Sequence, residues 1–159
     1  MIVYHGTTEI IKEPDVYHSK QYLDFGRGFY LTSFEAQAKK WALRKGLRQK
    51  KKAIVNVYEL SENLQNYNIL SFQEENEKWL DFVCACRKGE DLNSAYDIVI
   101  GNVADDDVFK TVDMYFRGLW SKEKVLSELR YYKMNDQICI VNQKTLDRVL
   151  EFKKAYEVM

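Results

Sequence analysis

Apolar residues along the chain change rhythm several times, and each change marks an element. The opening "MIVYH" is a short apolar run that reads as a strand ending at Gly6. Residues 7–27 are polar and irregular, and they carry Pro14, so they read as loop with a little helix. "GFYLT" is rich in aromatic and β-preferring residues and predicts a second strand. On a period of two, Phe29 and Leu31 face a core, while Gly28, Tyr30 and Thr32 face the other way. Ser33 suits the N-cap of a helix starting at Phe34, along which Phe34, Ala38, Trp41 and Ala42 recur at helical spacing.

The pattern continues with a strand, "AIVNVYEL", and an amphipathic helix, "QEENEKWLDFVCACRKG". Acids crowd the first turn of that helix, where they suit its dipole. Trp79, Phe82, Val83 and Cys86 share a face, and Gly89 can end it. "YDIVIGN" reads as a buried strand. A helix from Asp105 carries Val108, Val112 and Tyr115 on one side and breaks at Gly118. Ser121 caps another helix, bearing Val125 and Leu129. "QICIVN" reads as a strand, "QKTLDRVL" as a short helix, and "EFKKAYEV" as a final strand. Strands and helices mix without regular alternation, which favours α+β over a doubly wound α/β fold. No linker or repeat interrupts the pattern, so residues 1–159 read as a single domain.

An apolar fraction of 46% supplies a core and argues against disorder. Net charge is zero, so no overall field favours nucleic acid or a membrane. No apolar run reaches the roughly 18 residues of a membrane span, and the N-terminus lacks the pattern of a signal peptide. Cys84, Cys86 and Cys139 are an odd number and lack zinc-site spacing. Together these features predict a cytoplasmic protein without a metal. "ADDDVF", with Asp105, Asp106 and Asp107, reads as acids welcomed at a helix start rather than as a metal site.

Three stretches carry candidate chemistry. In "YHGTT", His5 and the bare backbone of Gly6 end a strand and face one space; the plainer reading is a strand running into a turn. In "DFGRGFYLT", Gly26 and Gly28 permit positive φ and close approach of a ligand, and Tyr30 offers a ring for stacking on a flat one; the plainer reading makes Tyr30 core. In "NDQICIVN", Gln137 opens a strand with Cys139 and Val141 on its face and Ile138 and Ile140 on the other; the plainer reading is a satisfied edge residue.

The order of these stretches resembles the ADP-ribosyltransferase superfamily, in the branch typified by poly(ADP-ribose) polymerases and diphtheria toxin, whose signature is His–Tyr–Glu. The chain is also similar to a group of short bacterial proteins within that superfamily, through "YHG", "DFGxGFYLT", "QAxxWA", "WLDFV" and "YDIVIG", all present here in order. The resemblance implies a split antiparallel β-core flanked by helices, and NAD as the donor of ADP-ribose. It implies that His5 bonds a ribose hydroxyl of the adenosine half, that Gly6 backbone pairs with the nicotinamide amide, and that Tyr30 stacks on the nicotinamide ring. Trp41 matches a second stacking aromatic, and Thr7 the small hydroxyl residue after His-Gly. Gly28 belongs to the same cofactor cradle. Ala38 stands where relatives often carry a serine that bonds the carboxamide.

The third signature residue is Gln137 in place of Glu. A charged hydrogen bond contributes about 1.5–3 kcal/mol against about 0.5–1.5 for a neutral one. A difference of roughly 1.4 kcal/mol slows a reaction about tenfold. Glutamine therefore weakens catalysis and disfavours polymer synthesis, since polymerisation leans on Glu to activate the acceptor. Asp136 should point to the opposite face. Asn135 stands where arginine-modifying relatives carry Glu or Gln, which argues against an arginine acceptor. The expected activity is mono-ADP-ribosyl transfer to a macromolecule, protein or nucleic acid, with catalytic His5, Tyr30 and Gln137. A bacterial toxin role with an antitoxin-like protein partner follows from the resemblance alone. The alternatives are an NAD-binding pseudoenzyme and an interaction module that uses the basic run from Lys39 through Lys52 on a protein or RNA.

Overall fold

The computed structural model describes residues 1–19, 23–74, 76–103, 106–129 and 135–159, with backbone only for 106–109 and 129. The protein is α+β. Strand β1 (Ile2–Thr7) is followed by β2 (Phe29–Leu31), helix α1 (Glu35–Gln49), β3 (Ile54–Leu60), β4 (Ile69–Ser71) and α2 (Glu77–Arg87). Then come β5 (Ile98–Gly101), α3 (Asp106–Phe116), α4 (Lys122–Leu129), β6 (Gln137–Ile140), α5 (Gln143–Val149) and β7 (Leu150–Glu157). No helix among the described residues is long and apolar enough to cross a membrane.

The strands form two sheets. One is antiparallel in the order β1-β3-β7; the other runs β2-β6-β5-β4. In the second sheet β4 pairs parallel to β5, so it is mixed rather than wholly antiparallel. The link between the sheets is an isolated bridge, Tyr4 to Thr32. Period-two alternation gives both sheets two apolar faces. Phe29, Leu31, Ile98, Ile138 and Ile140 meet Val3, Tyr58 and Leu60 between the sheets. On the far face of the second sheet, Val99 and Cys139 pack with Phe25 and with Trp79, Leu80 and Val83 of α2. On the far face of the first, Ala38 and Ala42 of α1 cover Val55 and Val57. The layers are therefore helix, sheet, sheet, helices.

Local departures from the sequence pattern have local causes. β1 runs through Gly6 to Thr7, because Gly6 pairs with Val55 instead of turning. Helix α1 starts at Glu35 with Phe34 at the cap position, since Ser33 spends its hydroxyl and amide on Asp136. Phe34 is consequently exposed at the edge of α1 rather than core. β4 carries only three half-apolar residues, too few to announce a strand. Asp105 and the side chains of Asp106, Asp107, Val108 and Leu129 lie outside the described residues.

Helix α1 packs directly on the backbone of β1 at Gly6. A Cβ there would sit 2.0 Å from Ala38 O and 2.9 Å from Ala42 N, both backbone atoms of α1. No rotamer change relieves such a clash, so the helix must lift off the sheet. Gly6→Ala is expected to cost about 3 kcal/mol or more, at the upper end of overpacking. Urea denaturation checks this, with a lowered midpoint expected.

Candidate active site

The bridge between β1 and β2 determines what lies beside it. Tyr4 N–H donates to Thr32 C=O at 2.8 Å, and Thr32 N–H donates back to Tyr4 C=O at 2.9 Å. Backbone groups alternate sides along a strand, so Val3, His5 and Thr7 bond β3 while Tyr4 and Gly6 face β2. By the same alternation Tyr30 and Thr32 face β1. The two strands part after a single bridge, so Gly6 N–H and C=O and Tyr30 N–H line the gap. None of these groups bonds another backbone group across it among the described residues.

His5 fills the wedge. Its Nδ1 lies 2.7 Å from Tyr30 O, and its ring stacks on Phe29 at 4.5 Å. A carbonyl only accepts, so Nδ1 carries the proton and Nε2 is the acceptor. The ring is half-buried by area but crowded by protein. Burial is the main cause that lowers its pKa from 6.5 to about 4; the Tyr30 carbonyl opposes this, and the nearby charge of Lys45 adds to it. His5 is therefore neutral at pH 7. Thr7 is buried, and its Oγ1 accepts from Lys45 Nζ at 3.1 Å.

Tyr30 is half-buried, on the face of β2 away from Phe29 and Leu31. Its hydroxyl donates to Gly26 O at 2.5 Å and accepts from Phe25 N–H at 3.0 Å. Burial raises its pKa well above the ordinary tyrosine value. The phenol thus latches the glycine turn, while the ring packs against the core around Phe25 and Trp79. Gly26 has φ of +78°, which suits glycine. Gly28 does not adopt positive φ. A Cβ there would meet Cys139 Sγ at 2.4 Å and Ile140 O at 2.7 Å, and its N–H donates to Ser19 Oγ. The bareness of Gly28 thus admits the close approach of β6.

Gln137 shares Tyr30's face of the second sheet and is 4% exposed. Its Nε2 donates to Asp24 Oδ2 at 3.1 Å. Asp24 Oδ1 in turn accepts from Arg87 Nε at 2.9 Å and Nη2 at 2.6 Å. The Asp24 and Arg87 side chains are only 12% and 13% exposed, so this is a buried ion pair abutting the amide. Sequence reasoning missed both members. Asp24 opens the very motif that was singled out, but nothing in the spacing ties it to Arg87, 63 residues away. Asp136 does point elsewhere: it accepts from Thr32 Oγ1 and Ser33 at the start of α1. Asn135 Oδ1 accepts from Val103 N–H.

The structure therefore gathers His5, Gly6, Tyr30 and Gln137 around β2. Trp41 is half-buried on α1, and Ala38 is fully buried against β1. Two surface concavities, of about 540 and 310 Å³, lie elsewhere, the first beside Tyr67 and Arg148 and the second beside Cys84 and Tyr115. The thiols are free and buried, and burial pushes Cys86 and Cys139 up to about 12, unsuited to nucleophilic attack. No cluster of metal-ligating side chains occurs among the described residues. Of the basic run, Lys39, Lys51 and Lys52 pair with Glu35, Glu9 and Glu157.

A family model described as a protein of unknown function (DUF3990) matches residues 1–152. The chain belongs to the DUF3990 family. No curated protein and no solved structure matches it. The match spans every element of this DUF3990 chain from β1 to the start of β7, so the two-sheet frame and the groups at its split lie inside the family's extent.

The lowered His5 pKa makes stability depend on pH. The unfolded chain takes up a proton near 6.5 and the folded chain only near 4, so acid favours unfolding. The contribution is complete above pH 6.5 and is lost as pH falls toward 4, at most about 3 kcal/mol. Melting temperature between pH 7 and 4 should fall less steeply in His5→Asn than in the parent.

Proposed function

We propose that this protein is an NAD-dependent mono-ADP-ribosyltransferase acting at the split between β1 and β2. The observation that carries the reading is the edge of Gly6. One N–H and one C=O point the same way into the gap, and a primary carboxamide needs one acceptor and one donor in that arrangement. Nicotinamide bears such a group. His5 Nε2, an acceptor at neutral pH, suits a ribose hydroxyl, and the half-buried Tyr30 ring suits the flat leaving group.

In this reading the bond between ribose C1′ and the nicotinamide nitrogen breaks. Its electron pair goes to that nitrogen, which neutralises the pyridinium. The acceptor's nucleophilic atom then bonds C1′ and loses its proton to solvent. The transition state gathers positive charge on the ribose, so a site gains by fixing dipoles toward it. The side-chain oxygen of Gln137 supplies a dipole rather than a charge, which suits slow transfer of single units. The acceptor is a protein or nucleic acid in the cytoplasm, in keeping with three free thiols. A toxin role restrained by an antitoxin-like partner belongs to the same reading.

One observation favours a second reading, an NAD-binding pseudoenzyme: Gln137 is almost fully buried and already holds Asp24. Labelled NAD, incubated with the protein and a cell lysate, separates the two. The transferase releases nicotinamide and leaves label on material sensitive to protease or to nuclease. His5→Ala should slow this about tenfold or more, the value of one lost hydrogen bond in the transition state. Binding without release marks the pseudoenzyme. NAD left intact and unbound contradicts both.

A further inference from the structure

The buried Asp24–Arg87 pair ends on the one signature residue that departs from the superfamily pattern. We propose that Asp24 is a positioning residue: it fixes the Gln137 amide with its nitrogen inward, so that Oε1 is the end offered to substrate. The purpose of this arrangement rests on the transferase reading above. An amide has two ends of similar shape and opposite hydrogen-bonding sense. Asp24 Oδ2 accepts only, so it selects Nε2 at 3.1 Å and rejects Oε1. Among the described residues, Oε1 itself accepts no hydrogen bond. Arg87 directs Nε and Nη2 to Oδ1, while the amide donates to the other oxygen, Oδ2. The carboxylate also polarises the amide through the shared bond, which strengthens the acceptor at its far end. A neutral glutamine thereby offers what a glutamate offers, an acceptor oriented at a ribose hydroxyl, with the formal charge one hydrogen bond further back.

This geometry makes an unusual claim about single changes. In Gln137→Glu, two carboxylates face each other at about the original 3.1 Å and cannot both ionise. In Asp24→Asn, Oδ1 still serves Arg87, but the new Nδ2 faces Nε2, donor against donor. Gln137 must then flip and offer substrate an N–H. In the double variant Asp24→Asn with Gln137→Glu, the introduced asparagine donates to the introduced glutamate, and a correctly oriented acceptor returns. Amide and carboxylate have exchanged places.

The experiment measures nicotinamide release, NAD affinity and melting temperature for the parent, both single variants and the double. Each single variant should lose about tenfold or more in kcat, with KM little changed, as expected for one oriented hydrogen bond made in the transition state. Gln137→Glu should recover rate at acid pH, where one carboxyl takes a proton. The double should recover most of the parent rate, and melting should show the same compensation. Full activity in Asp24→Asn, or a double no better than the singles, overturns the proposal. If melting compensates but no protein in the set releases nicotinamide, the transferase reading fails, and the pair is a structural lock with no catalytic purpose. If the parent releases nicotinamide and melting shows no compensation, the reading stands and the amide orientation is overturned.

Discussion

Everything at the candidate site depends on one bridge, Tyr4 to Thr32, between two sheets that otherwise meet, among the described residues, through side chains. Had β1 and β2 paired along their length, Gly6 would have no free edge and His5 no wedge to fill. Had they not met at all, neither the His5–Tyr30 contact nor the alignment of Gly6 with it would be fixed. A single bridge supplies registration at one end and an opening at the other. The apolar residues between the sheets hold that geometry, with Phe29 edge-on to Tyr58 across the interface and face-on to His5.

The bridge is held from both sides. On one, α1 lies so close to β1 that only glycine fits at position 6. The same contact that seats the helix thus leaves the Gly6 backbone facing the gap. On the other, Asp136 ties the end of β2 and the start of α1 to the strand that begins at Gln137. The Tyr30 phenol and the Asn93 side chain, which donates to Arg27 O, brace the glycine turn. In the transferase reading, structural and chemical duties fall on the same residues, so a defect at one is expected to appear in both stability and activity.

Much of the frame was legible because periodicity reports burial directly. Phe29 and Leu31 against Tyr30, and Ile138 and Ile140 against Cys139, took opposite faces as a two-residue period requires. Less legible was anything set by a distant partner. β4 is a strand only because β5 pairs with it, and Ser33 abandons the cap because Asp136 claims it. The packing role of Gly28 was hidden for the same reason. Its bareness was visible, but the atoms that demand it belong to β6, more than a hundred residues on. Asp24 and Arg87 carry no local signal at all, since a buried ion pair is defined by where its partners meet.

The central claim is that the Gly6 edge holds a carboxamide. The chain has seven glycines, so a sample labelled with ¹⁵N-glycine gives a simple amide spectrum. Nicotinamide and nicotinic acid differ only in the group that Gly6 is meant to recognise, so titrating each in turn is the most direct test. The account predicts a saturating shift of the Gly6 resonance with nicotinamide and little with the acid, whose carboxylate cannot donate to Gly6 C=O. An unmoved Gly6 resonance, or an equal response to both compounds, would contradict it.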